Sequence, residues 1–183
     1  MKRLVILSIA CAAFACGGAL AKSPHAGLET RMIKALSAEE IAELKAGEGM
    51  GLALAAELNG YPGPRHVLDL ADELRLTEKQ RREVRALFDA MRSEAVDTGE
   101  RLIAEEAALD REFAERTITP ARLDAATRAI GSIAADLRAT HLRYHLATRD
   151  LLLPEQVWRY NALRGYSGNS APMHHHGGHS GAQ

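Results

Sequence analysis

A helix-opening phrase that occurs twice limits what this chain can fold into. It reads Leu76-Thr77-Glu78-Lys79-Gln80 and again Leu152-Leu153-Pro154-Glu155-Gln156, on either side of some seventy residues of almost unbroken helical pattern. In the first copy Thr77 can act as N-cap while Gln80, three residues on, reaches back to the N-cap backbone, which makes a capping box. The second copy has Leu153 at the cap position and so lacks the side-chain acceptor, but Pro154 suits the first helical turn and Gln156 keeps its place. Between the phrases, Val84, Phe88, Met91, Ala95, Thr98, Leu102, Leu109 and Phe113 follow helical spacing with charges between them. They form an amphipathic stripe of about 36 residues, or roughly 55 Å. Thr117-Ile118-Thr119-Pro120 supplies a turn, with Thr119 as N-cap and Pro120 as the first helical residue. The returning helix carries Leu123, Ala126, Ile130, Ile133, Leu137, His141, Tyr144, Thr148 and Leu151 on one seam. Long helices joined by so short a turn should lie antiparallel. The expected fold is all-α: a long antiparallel helical hairpin with shorter flanking helices.

The flanks are read in the same way. Residues 1–21 have the layout of a secretory signal: Lys2 and Arg3, an apolar run from Leu4 to Ala15, and Ala19-Leu20-Ala21 as the cleavage site. That run is too short to span a bilayer and no later stretch is longer. The expected product is exported to the periplasm, cleaved after Ala21, with no integral span. A lipid anchor at Cys16 is the alternative. Cys11 and Cys16 are the only cysteines and both lie in the signal, so the exported chain would have no thiol chemistry. Loss of Lys2 and Arg3 lowers the basic count from 23 to 21 against 24 acidic residues, a net charge of about −3 that gives nucleic acid no basic surface. Residues 22–36 show no sustained period and are expected to be flexible. Ser37-Ala38-Glu39-Glu40 is a further capping-box signature, opening a helix through Ile41, Leu44, Leu52 and Leu58. Gly47, Gly49 and Gly51 interrupt it, each costing about 1 kcal/mol against alanine, so that helix is either broken there or packed tightly on a neighbour. Asn59-Gly60-Tyr61-Pro62-Gly63-Pro64 ends it, and a short helix with Val67, Leu68, Leu70, Ala71 and Leu74 follows. The last helix runs through Val157, Trp158, Tyr160 and Leu163 to Gly165, closing a helical domain over 37–166. Residues 167–183, rich in Gly, Ser and His, read as a disordered tail.

The paired phrases around a long hairpin, behind an export signal, resemble the LTxxQ-motif proteins of the bacterial periplasm: the Spy and CpxP chaperones and the ZraP and CnrX metal-resistance and metal-sensing proteins. The resemblance covers roughly residues 36–166. It implies an intertwined or cradle-shaped homodimer, and a function without catalysis in metal or envelope stress. Two kinds of partner come with it, unfolded periplasmic proteins held on a basic concave surface, or a membrane stress-sensor. In such a surface Arg81, Arg85 and Arg92 would contact the client. The alternative for those arginines is a solvated face of i, i+4 ion pairs.

Chemistry is concentrated in histidine. His174, His175, His176 and His179, with Met173, can wrap a borderline cation such as Zn(II), Ni(II), Co(II) or Cu(II), all of which imidazole suits. His141 and His145 stand at i and i+4 and share a helix face, so they could hold a metal jointly or simply pack at a helix or dimer seam. Met91, Glu94 and Ala95 fall near their level on the opposite helix, so that Met91, Glu94, His141 and His145 could form a mixed N/O/S site. The intervening Leu142, Arg143 and Tyr144 exclude an HExxH site, since no glutamate follows the first histidine. CnrX-like sensors have a histidine pair shortly before the first phrase, whereas at that place this chain has His66 alone, with Asp69 three residues on. No nucleophile elbow, phosphate loop or CxxC pair occurs, so neither enzymatic activity nor an organic cofactor is expected.

Overall fold

The computed structural model describes residues 23–166. The expected signal and the histidine-rich tail lie outside the described residues. Within them the chain is mostly helical and has no strand; a single isolated bridge joins Ile33 to Leu36. None of these helices is long and apolar enough to cross a membrane.

A 3-10 turn at Leu28–Thr30 precedes α1 (Ala38–Ala46). The Ser37 capping box forms as its sequence demands: the hydroxyl accepts from the Glu40 N–H at 3.1 Å and the Glu40 carboxylate accepts from the Ser37 N–H at 2.7 Å. The helix stops at Gly47, which is left-handed at φ 70°. Both outcomes left open for the glycine-interrupted helix are observed: it breaks at Gly47, and a Cβ there would stand 2.9 Å from the Arg92 carbonyl oxygen of its neighbour. The chain then turns through Gly51 into a single helical turn, α2 (Leu54–Glu57), and through Gly60 to Gly63 into α3 (Pro64–Asp69). Close packing recurs one helix away: at Gly99 a Cβ would stand 2.7 Å from the Leu44 carbonyl oxygen, so this glycine lets α1 rest directly on its neighbour.

That neighbour is α4 (Glu78–Ala114), followed by α5 (Pro120–Leu151) and α6 (Pro154–Leu163). α4 and α5 lie side by side. Gln80 meets Leu151, Glu94 meets Arg143 and Tyr144, and Glu112 meets Arg122. Their buried residues fall into two clusters. One is Leu44, Ala95 and Leu137; the other gathers Val67, Leu74, Leu76, Val84, Leu152 and Tyr160 where both phrases converge. The stripe is not covered along its whole length. Phe113 is 54 % exposed and Leu123 37 %, because α1, α2 and α3 pack at the other end of the pair.

The repeated glutamines explain why the phrase occurs twice. Gln80 accepts from the Thr77 N–H at 3.0 Å, and Gln156 accepts from the Leu153 N–H at 2.9 Å, so each side-chain carbonyl caps its own helix. Their amide groups then cross. Gln80 Nε2 donates to Gln156 Oε1 at 2.9 Å and to the Leu151 carbonyl at 2.9 Å, while Gln156 Nε2 donates to Gln80 Oε1 and to the Leu74 carbonyl, both at 3.2 Å. The partner glutamine supports the second helix start, which has no hydroxyl at Leu153.

Candidate metal centre

The histidine pair occupies the interval between the two apolar clusters. Helical spacing turns both rings to one face of α5, and both are buried, His141 at 2 % and His145 at 8 % exposure. What covers them is the glycine- and proline-rich stretch from Gly49 to Pro64. Its backbone approaches so closely that a Cβ at Gly63 would stand 2.8 Å from both Cε1 and Nε2 of His145. The Nδ1 of His145 lies 2.7 Å from the Tyr61 carbonyl oxygen. A carbonyl can only accept, so Nδ1 is the donor here, and in the neutral ring Nε2 then carries the lone pair, the tautomer in which imidazole ligates a metal. His141 has the complementary property: its Nε2 is buried and has no hydrogen-bond partner. Burial, and next the neighbouring His145, hold the His141 pKa below its usual value, so this ring stays neutral. Both imidazoles line a cavity of about 250 Å³, together with Met50, Met91 and His66.

Behind His145 lies a residue that the sequence reading passed over. Glu57 is 6 % exposed, and its Oε2 accepts the Gly63 N–H at 3.1 Å and stands 3.7 Å from His145 Nδ1. Its Oε1 accepts from the hydroxyls of Tyr160 and Tyr166, with Arg164 Nε at 3.7 Å. Burial, then the hydrogen bond to Glu57, push the Tyr160 hydroxyl pKa far above its normal range, so it remains a donor. Glu57 therefore fastens α2, α6 and the Gly63 backbone behind the His145 ring. A glutamate set among Ala55, Ala56 and Leu58 in a short apolar helix was the available signal.

The other candidates fall elsewhere. Glu94 shares the level of the histidines but is turned outward, its oxygens taken by Arg143 Nη2 at 2.9 Å and Tyr144 Oη at 2.7 Å. His66 reaches the cavity rim with its Nδ1 3.6 Å from Asp69. Among the described residues no three His, Cys, Asp or Glu side chains come together as a metal-binding group. Arg85 and Arg92 line a second cleft beside Phe88, with Arg85 5.9 Å from the Phe88 ring centroid. Arg92 donates to the Ala46 carbonyl at 3.2 Å, and Arg81 is paired with Asp72 and Glu78. His174, His175, His176 and His179 lie outside the described residues. Compared with family models, curated proteins and solved structures, the chain gives no match.

Proposed function

We propose that this is a periplasmic protein without catalytic activity that binds transition-metal ions in metal resistance or metal sensing. The observation that carries the proposal is the buried pair His141 and His145. One ring has its Nε2 lone pair freed by the Tyr61 carbonyl, and the other has a buried Nε2 with no partner. An unpaired buried polar atom costs about 1 to 3 kcal/mol, and ligation of a cation would remove that cost. Glu57 supports the reading as the outer group that holds His145 in place, as groups behind metal-bound histidines commonly do. The tail histidines would add a second, more exposed site for Zn, Ni, Co or Cu. The long helices would form an antiparallel hairpin that closes its uncovered end, around Phe113 and Leu123, as a homodimer.

Calorimetric titration of residues 22–183, and of the same chain ending at Asn169, tests this. Binding retained by the shorter chain and lost with His145→Gln places a metal in the helical body; binding confined to the longer chain leaves the tail as the sole site. A second reading, an ATP-independent holdase, is favoured by the cleft of Arg85, Phe88 and Arg92 and by exposed Leu146, Leu153 and Trp158. It predicts that aggregation of an unfolded client is suppressed equally with and without the tail, and that Arg85→Glu with Arg92→Glu weakens this.

A further inference from the structure

The donors around the histidine pair differ in kind from a set suited to zinc or nickel. Besides the histidine pair, and His66 at the rim beside Asp69, the side chains on this cavity that could ligate a soft ion are thioethers. Met91 is 6 % exposed and lines it from α4; Met50 lines it from the covering stretch. Met50 holds a left-handed conformation at φ 45°, between Gly49 and Gly51, where glycine would fit with less strain. The carboxylate on the cavity wall is Glu57, and its oxygens already accept from the Gly63 N–H and the two tyrosine hydroxyls. Glu94 is engaged on the outside. Two guanidiniums, Arg65 and Arg164, also border the cavity.

Charge and softness point the same way. A divalent ion in a buried site needs anionic ligands to offset the loss of its hydration, whereas the carboxylate on this wall, Glu57, is already engaged and the bordering Arg65 and Arg164 are paired with Glu48 and Glu57. Thioether sulfur prefers a soft ion of low charge, and imidazole accepts one readily. We infer that the cavity between α5 and the 49–63 stretch is a site for a soft monovalent cation of the copper(I) or silver(I) class, held by His141, His145 and Met91 with Met50 at its rim. The inference rests on the proposal that the histidine pair is a metal site, and it goes beyond it in naming the ion and two sulfur ligands.

The test uses residues 22–183, which lack Cys11 and Cys16, carrying His174→Ala, His175→Ala, His176→Ala and His179→Ala, so that neither thiols nor tail imidazoles compete. Silver(I) is titrated directly, copper(I) under reductant against a chromogenic chelator, and zinc(II) and nickel(II) in parallel. The expected result is one equivalent of the monovalent ion, bound roughly 100-fold or more tighter than zinc or nickel. Adding Met91→Leu, which nearly conserves volume, should weaken silver binding by about tenfold or more while helical circular dichroism is unchanged. Zinc held as tightly as silver, or silver affinity untouched by Met91→Leu, overturns the soft-ion assignment and leaves the histidine pair a metal site. No binding of any ion by the tail-substituted chain overturns the histidine-pair proposal itself, and the soft-ion assignment with it.

Discussion

At the scale of single residues, the candidate centre is held by contacts that leave little slack. Gly63 is the clearest case. Its φ is an ordinary −80°, so glycine is needed there for space rather than for backbone freedom. Gly63→Ala should force the His145 ring aside, lowering stability by about 1 to 3 kcal/mol, and should weaken metal binding in the tail-substituted chain. Denaturant unfolding measures the first effect and titration the second. Glu57→Ala should be more severe. It leaves the Gly63 N–H and the Tyr160 hydroxyl without their acceptor and Arg164 without its partner, a loss of about 3 kcal/mol or more. A midpoint of unfolding unchanged by that substitution would show that Glu57 does not fasten α6 to the centre.

At the scale of elements, the crossed glutamines join two helix starts that are far apart in sequence. Gln80→Ala and Gln156→Ala should each cost about 1 to 3 kcal/mol by leaving caps and buried carbonyls unpaired. In combination they should cost less than their sum, because each removes a bond that the other also removes. Glu106, half-buried on α4, supplies a pH test. Burial raises its pKa above 4.5, so its charged form is disfavoured in the folded chain. Its contribution to stability is then fully present below the unfolded-state value and is lost as pH rises through the higher folded-state value. Glu106→Gln should raise the melting temperature at pH 7 and change it little at pH 3, as thermal denaturation at the two pH values would show.

These elements were unequally legible. Ser37 with Glu40, Thr77 with Gln80, and Thr119 with Pro120 announce their helix starts because capping is local chemistry, readable within four residues. Leu153 looked like a weakened cap because part of its support is distant: Gln156 accepts its N–H and is itself held by Gln80, across the molecule. The stripe through Phe113 and Leu123 marked an apolar face correctly, but periodicity does not say whether anything covers that face, and near the turn both side chains stay exposed among the described residues. The site was half visible. His141 and His145 follow from their spacing, but Gly63, Tyr61 and Glu57 act through a fold-back that no local pattern encodes.

At the scale of the whole molecule, α4 and α5 form a scaffold and the stretch from Gly49 to Pro64 forms a cover, with the histidine pair between them. The cover is rich in glycine and proline because its backbone must lie against imidazole rings, and α6 fixes it from behind through Tyr160 and Glu57. The central claim is that a metal ion sits in this interval, on the Nε2 atoms of His141 and His145. Nitrogen-15 spectra of the imidazoles in residues 22–183 with the tail intact, before and after one equivalent of silver(I), test it most directly. The prediction is that Nε2 of both rings shifts on binding while His145 Nδ1 keeps its proton and its bond to Tyr61. Shifts confined to His174, His175, His176 and His179 would contradict it.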